Sequence, residues 1–127
     1  MVTSARVMVI DDDPSIRETL AELLRIWGWQ AETAANGLEA MEKIRSFHPM
    51  AVISDLHMPR MGGIEFLRAM RKTFPDVACI IVTGDENAEN AYWACRLGAF
   101  DYLEKPIDPL RLLVDLRKCL ERSGVNP

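Results

Sequence analysis

Short apolar runs alternate with longer amphipathic stretches five times along this chain. Three of the runs are nearly uninterrupted: Val7-Met8-Val9-Ile10, Ala51-Val52-Ile53-Ser54 and Ala78-Cys79-Ile80-Ile81-Val82. Runs this short and this continuous predict β-strands. Two weaker strands are predicted at about residues 30–33 and 100–104. Strands separated by helical segments predict βα units wound around a parallel sheet.

The intervening segments carry helix punctuation. Asp13-Pro14 supplies an N-cap and a first-turn proline, and Ser15 and Glu18 have capping-box spacing. Ile16, Leu20, Leu23, Leu24 and Trp27 recur at helical spacing until Gly28 stops the element. Asn36-Gly37 turns the chain into a second helix, whose inner face is predicted to use Leu38, Met41 and Ile44 before Pro49 closes it. A loop over residues 56–63 precedes a third helix expected to bury Ile64, Leu67 and Met70. A polar segment over residues 84–90 leads into a fourth helix ending at Gly98, and Asp108-Pro109 opens a leucine-rich fifth. No linker, low-complexity tract or repeat intervenes. One domain is expected over residues 1–127, ordered over about 5–121, with a frayed tail at 123–127.

Composition narrows the function classes. At 127 residues, 49% apolar, the chain is long enough to bury a core of its own. A net charge of −4 with no basic run argues against direct nucleic-acid binding. The apolar runs are far shorter than a membrane span, and no extended apolar segment precedes Asp11, so neither a membrane segment nor a secretory signal is expected. Cys79, Cys95 and Cys119 are odd in number and form no CxxC pair. Buried reduced thiols and a cytoplasmic location are the expectation.

The strand-like runs end at reactive residues. The first ends in Asp11-Asp12-Asp13, the third in Asp55, the fourth in Thr83-Gly84, and Tyr102-Leu103-Glu104 runs into Lys105-Pro106. In a parallel sheet all strand C-termini share one edge, where open α/β sheets place their ligands. If the first and third strands are neighbours, Asp11, Asp12 and Asp55 crowd together. Their repulsion would raise at least one pKa unless a cation intervenes. A hard divalent cation, above all Mg²⁺, resolves the conflict and leaves coordination positions for phosphoryl oxygens. Lys105 adds an ammonium and Thr83 a hydroxyl. A carboxylate nucleophile, a metal, an ammonium and a hydroxyl suit in-line phosphoryl transfer onto a carboxylate. Asp13 reads instead as the cap of the first helix.

In this order the motifs resemble the receiver domains of bacterial two-component response regulators, over essentially the whole chain. Val9-Ile10-Asp11-Asp12-Asp13-Pro14 is similar to the family's acidic pair, and Ser54-Asp55-Leu56-His57-Met58-Pro59 to its phosphoacceptor segment. Val82-Thr83-Gly84 resembles its hydroxyl switch, Gly98-Ala99-Phe100-Asp101-Tyr102 its strand-five aromatic, and Glu104-Lys105-Pro106 its lysine–proline. The resemblance implies a doubly wound (βα)5 fold, flavodoxin-like, with strand order 2-1-3-4-5 and helices on both faces. It also implies that Asp55 accepts phosphate from a histidine kinase or phosphotransfer protein. Asp12 would bind Mg²⁺ directly, Asp11 would assist through water, and Asp55 and the main-chain carbonyl of His57 would complete the protein ligands. Thr83 and Lys105 would contact the phosphoryl oxygens, Tyr102 would swing inward when Thr83 moves, and Lys105-Pro106 would be cis.

Other positions follow the same resemblance. His57 and Asp85 would flank the phosphoryl group and tune its hydrolysis. Gly62 stands where the family more often has Asp or Asn, which removes a turn hydrogen bond but no catalytic group. His48, before Pro49, carries no motif and reads as structural.

At about 100° per residue the fourth helix should turn Ala88, Ala91, Tyr92 and Cys95 inward and Trp93 and Leu97 outward, with Glu86 and Asn90. Leu110, Leu112, Leu113, Leu116 and Leu120 of the last helix cover too broad an arc for one buried face. Trp93 and Leu97 are therefore candidates for a homodimer or output-partner surface formed by helix four, strand five and helix five.

The favoured reading is a phosphorylation switch that catalyses only its own modification. One alternative is a haloacid-dehalogenase-like phosphohydrolase, in which Asp11-Asp12-Asp13-Pro14-Ser15 would make Asp11 the nucleophile and Asp13 the acid/base. A receiver-like scaffold that is never phosphorylated is another. The kinase, the pathway and the output are not written in these residues, nor is whether the receiver stands alone or belongs to a longer regulator.

Overall fold

The computed structural model describes residues 5–84 and 87–122. Strands and helices alternate as β1 (Arg6–Ile10), α1 (Pro14–Ile26), β2 (Gln30–Ala34), α2 (Gly37–Phe47), β3 (Ala51–Asp55), α3 (Gly63–Thr73), β4 (Ala78–Thr83), α4 (Ala88–Arg96), β5 (Asp101–Glu104) and α5 (Pro109–Arg122). All pairings are parallel, in the order β2-β1-β3-β4-β5. This is the doubly wound order expected, with chain direction across the sheet reversing beside β1.

The two-residue period of the strands divides the core in two. Val7 and Val9, Ala51 and Ile53, and Ile80 and Val82 point to one face, under Leu20 and Leu24 of α1 and Leu112, Leu116 and Leu120 of α5. Met8 and Ile10, Val52, and Cys79 and Ile81 point to the other, under Ile44 of α2, Phe66, Leu67 and Met70 of α3, and Ala94 of α4. The central strands meet apolar layers on both sides, which is why their sequences read as continuous apolar runs.

Helix ends follow the local signals. The Asp13 side chain accepts from the Ser15 amide at 2.9 Å, with Pro14 in the first turn. The cap is therefore Asp13 and not a Ser15–Glu18 box. Asn36 caps α2 by accepting from the Glu39 amide at 2.9 Å, and His48 ends that helix in the left-handed region at φ 53°. Gly28 and Gly98, at φ 92° and 89°, turn the chain out of α1 and α4. Each closes the same pattern, in which the next amide reaches back into the last turn: Trp29 to Leu24 and Ala99 to Ala94.

Several inward assignments differ from the expectation. Among the described residues of α4 the buried one is Ala94, while Tyr92 (56%) and Cys95 are exposed. Leu97, expected to point away, is half-buried against the layer that contains Phe66 and Ile81. The small Ala94 side chain allows the helix closer contact with the sheet than Tyr92 would. Trp93 is exposed as expected (46%). Ala88's side chain, Glu86 and the tail at 123–127 lie outside the described residues. On α2, Leu38 is exposed and Gly37, Ala40 and Ile44 are buried. On α3, Phe66 fills the core more completely than Ile64. Of the cysteines, Cys79 and Cys119 are buried, and burial pushes both thiols up to about 12.

One buried polar contact ties α5 to β5. Asp115 lies beside Asp101, whose carboxylate meets Arg111 at 3.2 Å, and the buried Oδ2 of Asp115 has no partner while both groups are ionised. Burial first, and then the Asp101 carboxylate, push Asp115 up to about 6. Burial acts the same way on Asp101 but is outweighed by hydrogen bonds from Asp115, the Tyr102 amide and Arg111, which hold it low. The folded chain thus holds a proton on Asp115, between about pH 4 and about 6, that the unfolded chain releases. Stability from this group is lost as pH rises through that window and does not return above it. Asp115→Asn keeps a donor to Asp101 without titrating. In urea unfolding it is expected to be more stable than the parent by about 1–2 kcal/mol at pH 7.5, with the gain fading toward pH 4. A gain or loss independent of pH would contradict the shared proton.

Candidate functional site

Register places the reactive residues. Ile10 pairs with Ser54, so Asp11 and Asp55 leave β1 and β3 side by side. Asp55 pairs with Val82 and Thr83 with Glu104, which puts Thr83 and Lys105 on the same edge. Main-chain bonds continue past the strand ends: the Asp11 amide donates to the Ala34 carbonyl at 3.2 Å, and the Lys105 amide to the Thr83 carbonyl at 2.8 Å. The Lys105-Pro106 peptide is cis, as the resemblance implied.

Asp11 is buried and held from three directions. Its Oδ1 accepts from the Asp13 amide at 2.9 Å, its Oδ2 from Lys105 Nζ at 3.0 Å, and its carbonyl from Arg17 Nη1 at 2.9 Å. Asp55 is also buried; its Oδ1 accepts from the Leu56 amide at 2.9 Å and lies 3.5 Å from Lys105 Nζ. One ammonium therefore bridges two carboxylates. Asp12 is exposed at the rim, yet oxygens of Asp11, Asp12 and Asp55 all lie within 4.8 Å of one another.

The electrostatics follow from this crowding. Burial first, then repulsion from Asp11 and more weakly from Asp12, raises the Asp55 pKa against the opposing pull of Lys105 and the Leu56 amide. Burial works against the charge of Lys105, but its hydrogen bond to Asp11 and the attraction of Asp55 outweigh that and raise its pKa. Oxygens on a six-coordinate Mg²⁺ stand roughly 3–4 Å apart. Three carboxylate oxygens within 4.8 Å of one another could converge on such an ion, and the all-oxygen donor set suits a hard cation.

Two glycines shape the loop after Asp55. A Cβ on Gly63 would stand 2.4 Å from the Asp55 carbonyl oxygen and 2.9 Å from Leu56 Cα. A Cβ on Gly37 would meet Met61 Cγ at 2.6 Å, and the Gly37 amide donates to the Met61 carbonyl at 3.1 Å. The loop is thus pressed between the start of α2 and the strand that carries Asp55. Gly62 caps α3 with no side-chain hydrogen bond, as its departure from the family pattern implied.

Thr83 is buried at the end of β4, His57 is exposed, and Tyr102 is half-buried against the layer containing Phe66 and Ile81. Asp85 lies outside the described residues. Asp13 is engaged as a helix cap, so it does not stand beside Asp11 as the acid/base of a phosphohydrolase. Arg17 and Gly63 carry no motif in the sequence, and Gly37 reads there only as part of a turn. Arg17 had a signal: a cation near a helix N-terminus opposes the helix dipole and calls for an anionic or carbonyl partner.

Comparison with known proteins places this geometry in a family. The family described as the response regulator receiver domain matches residues 7–117. Response regulator MprA of Mycobacterium ulcerans (strain Agy99) is 37% identical over 123 residues, covering 97% of this chain and 53% of that protein. The chain thus spans about half the length of the curated relatives it matches. Among solved structures, a CheY-like receiver domain protein from Methanospirillum hungatei JF-1 superposes with a TM-score of 0.90 at 30% identity, covering 96% of this chain and 98% of that one. Chemotaxis protein CheY4 of Vibrio cholerae does so with a TM-score of 0.86 at 33% identity, covering 93% and 100%. With its parallel sheet in the order 2-1-3-4-5 and its motifs along one edge, the chain belongs to the response regulator receiver domains of two-component signalling.

Proposed function

We propose that this receiver is a phosphorylation switch in which Asp55 is the acceptor. The observation that carries the reading is the Lys105 ammonium bridging Asp11 and Asp55 at 3.0 and 3.5 Å, beside a third carboxylate at the rim. In the transfer, the N–P bond of a donor phosphohistidine breaks and a P–O bond to an Asp55 carboxylate oxygen forms. Lys105 leaves its carboxylate partners to meet a phosphoryl oxygen, and the Thr83 hydroxyl meets another. Bound at Asp11, Asp12, Asp55 and the His57 carbonyl, Mg²⁺ would supply charge neutralisation for the phosphoryl oxygens. The domain acts as a signalling element and not as an enzyme with external turnover.

Partners follow from the class: a histidine kinase or phosphotransfer protein upstream, and an output domain or partner protein downstream. Tyr102, half-buried against the layer containing Phe66 and Ile81, would swing inward when Thr83 moves toward the phosphoryl group. The output would leave through α4, β5 and α5, either to a partner or to a second copy. Tyr92 and Trp93 stack edge-to-face there at 5.5 Å, and Leu110 and Val114 are exposed on α5. Leu97 is no longer part of that surface. Among the described residues no helix is long and apolar enough to cross a membrane.

Incubation with acetyl phosphate tests the acceptor directly by intact mass. A single Mg²⁺-dependent phosphoryl adduct, absent in Asp55→Asn, is expected; no adduct in the parent under any condition would leave the scaffold reading in its place. Decay of the same adduct reads His57, since His57→Asn is expected to change the rate and an unchanged rate would remove His57 as a tuning residue. Trp93→Ala is expected to weaken self-association or partner binding of the phosphorylated chain. Sedimentation and pull-down results equal to the parent would exclude the contact role.

A further inference from the structure

At the opposite edge of the sheet from Asp55, separated by the six residues of β4 or about 17 Å, lies a cavity of about 440 Å³. Its walls include Arg71 at the end of α3, Val77 before β4, Gly98 and Phe100 before β5, and Cys119 and Arg122 of α5. None of these belongs to the phosphoacceptor site.

The two arginines are the unusual feature. Arg71 runs beneath Gly98, where its Cδ lies 3.4 Å from the position a Cβ would take, and its Nη2 donates to the Val77 carbonyl. Its Nε is buried with no hydrogen-bond partner. Arg122 lies over the Phe100 ring, 5.4 Å from the centroid. Neither guanidinium forms an ion pair with a carboxylate among the described residues. Asp76 also lines the cavity, which leaves the lining side chains with an excess of one positive charge.

Buried donors are nearly always satisfied in folded proteins, and a guanidinium is matched best by two oxygens presented side by side. A guanidinium with one donor unsatisfied, next to a second arginine in the same cavity, calls for an anionic acceptor. We infer that this cavity binds a small oxyanion, a phosphate or a carboxylate, seated on Arg71 with Arg122 as the second contact. Phe100 and the Cys119 side chain supply an apolar wall, and the volume leaves room for a short organic skeleton beyond the charged group.

The test is a ¹⁵N NMR titration of the whole chain with sodium phosphate and, separately, sodium malonate, at ionic strength held constant with chloride. Saturable shifts are expected at the amides of Val77, Ala78, Gly98 and Phe100, half-complete at about 1 mM. Arg71→Lys keeps the charge without the fork, and Arg122→Gln alters an exposed side chain. Each is expected to weaken binding about tenfold. Response to phosphate alone assigns a phosphate site, to malonate alone a carboxylate site, and to both a general oxyanion site. Shifts that do not saturate, shifts confined to residues around Asp55 and Lys105, or unchanged affinity in Arg71→Lys would overturn the inference.

Discussion

The rest of the structure is arranged around the crowding of carboxylates at the C-terminal edge of the sheet. Asp11 and Asp55 are both buried, and Asp12 stands at the rim with an oxygen within 4.8 Å of theirs. Left alone, such a group would neutralise itself by taking up protons. Lys105 offsets part of the repulsion by touching Asp11 and Asp55 together, but one ammonium does not balance three carboxylates. The remaining negative charge would favour a cation, and a bound cation would in turn make room for phosphoryl oxygens. Phosphorylation of Asp55 would draw Lys105 from its carboxylate partners, so the interaction that stabilises the resting state is the one the modification would break.

The scaffold makes this charge arrangement rigid. Asp11 is fixed through its side chain and its carbonyl at once, by Lys105, the Asp13 amide and Arg17. Asp55 sits on the best-buried strand, and Gly63 lets the following helix start close against its carbonyl. Apolar layers on both faces hold β1, β3 and β4 in register, so the distances at the edge are set by the core and not by the loops. The opposite edge carries charge of the other sign, where Arg71 and Arg122 face one cavity. Anionic and cationic sites thus occupy the two ends of the same strands.

Most of this was legible along the chain, for physical reasons. Strands β1, β3 and β4 declare themselves because covering both faces demands unbroken apolar runs, and the reactive residues stand out because each ends such a run. Asp13 could be separated from the acidic cluster by the proline that follows it. What hydropathy does not encode is close approach. Ala94, not Tyr92, faces the core on α4, and Gly37 and Ala40, not Leu38, begin the inner line of α2, because tight packing selects small side chains. Gly37 and Gly63 matter through contacts with Met61 and Asp55, which nothing local to either glycine reveals. The same holds for Asp101 and Asp115, ordinary surface acids in sequence that the β5–α5 packing joins.

The central claim is that Asp55 feels its neighbouring carboxylates and that a cation relieves them. Its most direct test is a pH titration of the Asp55 carboxyl carbon by ¹³C NMR, without and with saturating Mg²⁺. The account predicts an Asp55 pKa above the ordinary aspartate value without metal, falling clearly when Mg²⁺ is added. An ordinary value that Mg²⁺ leaves unmoved would contradict it.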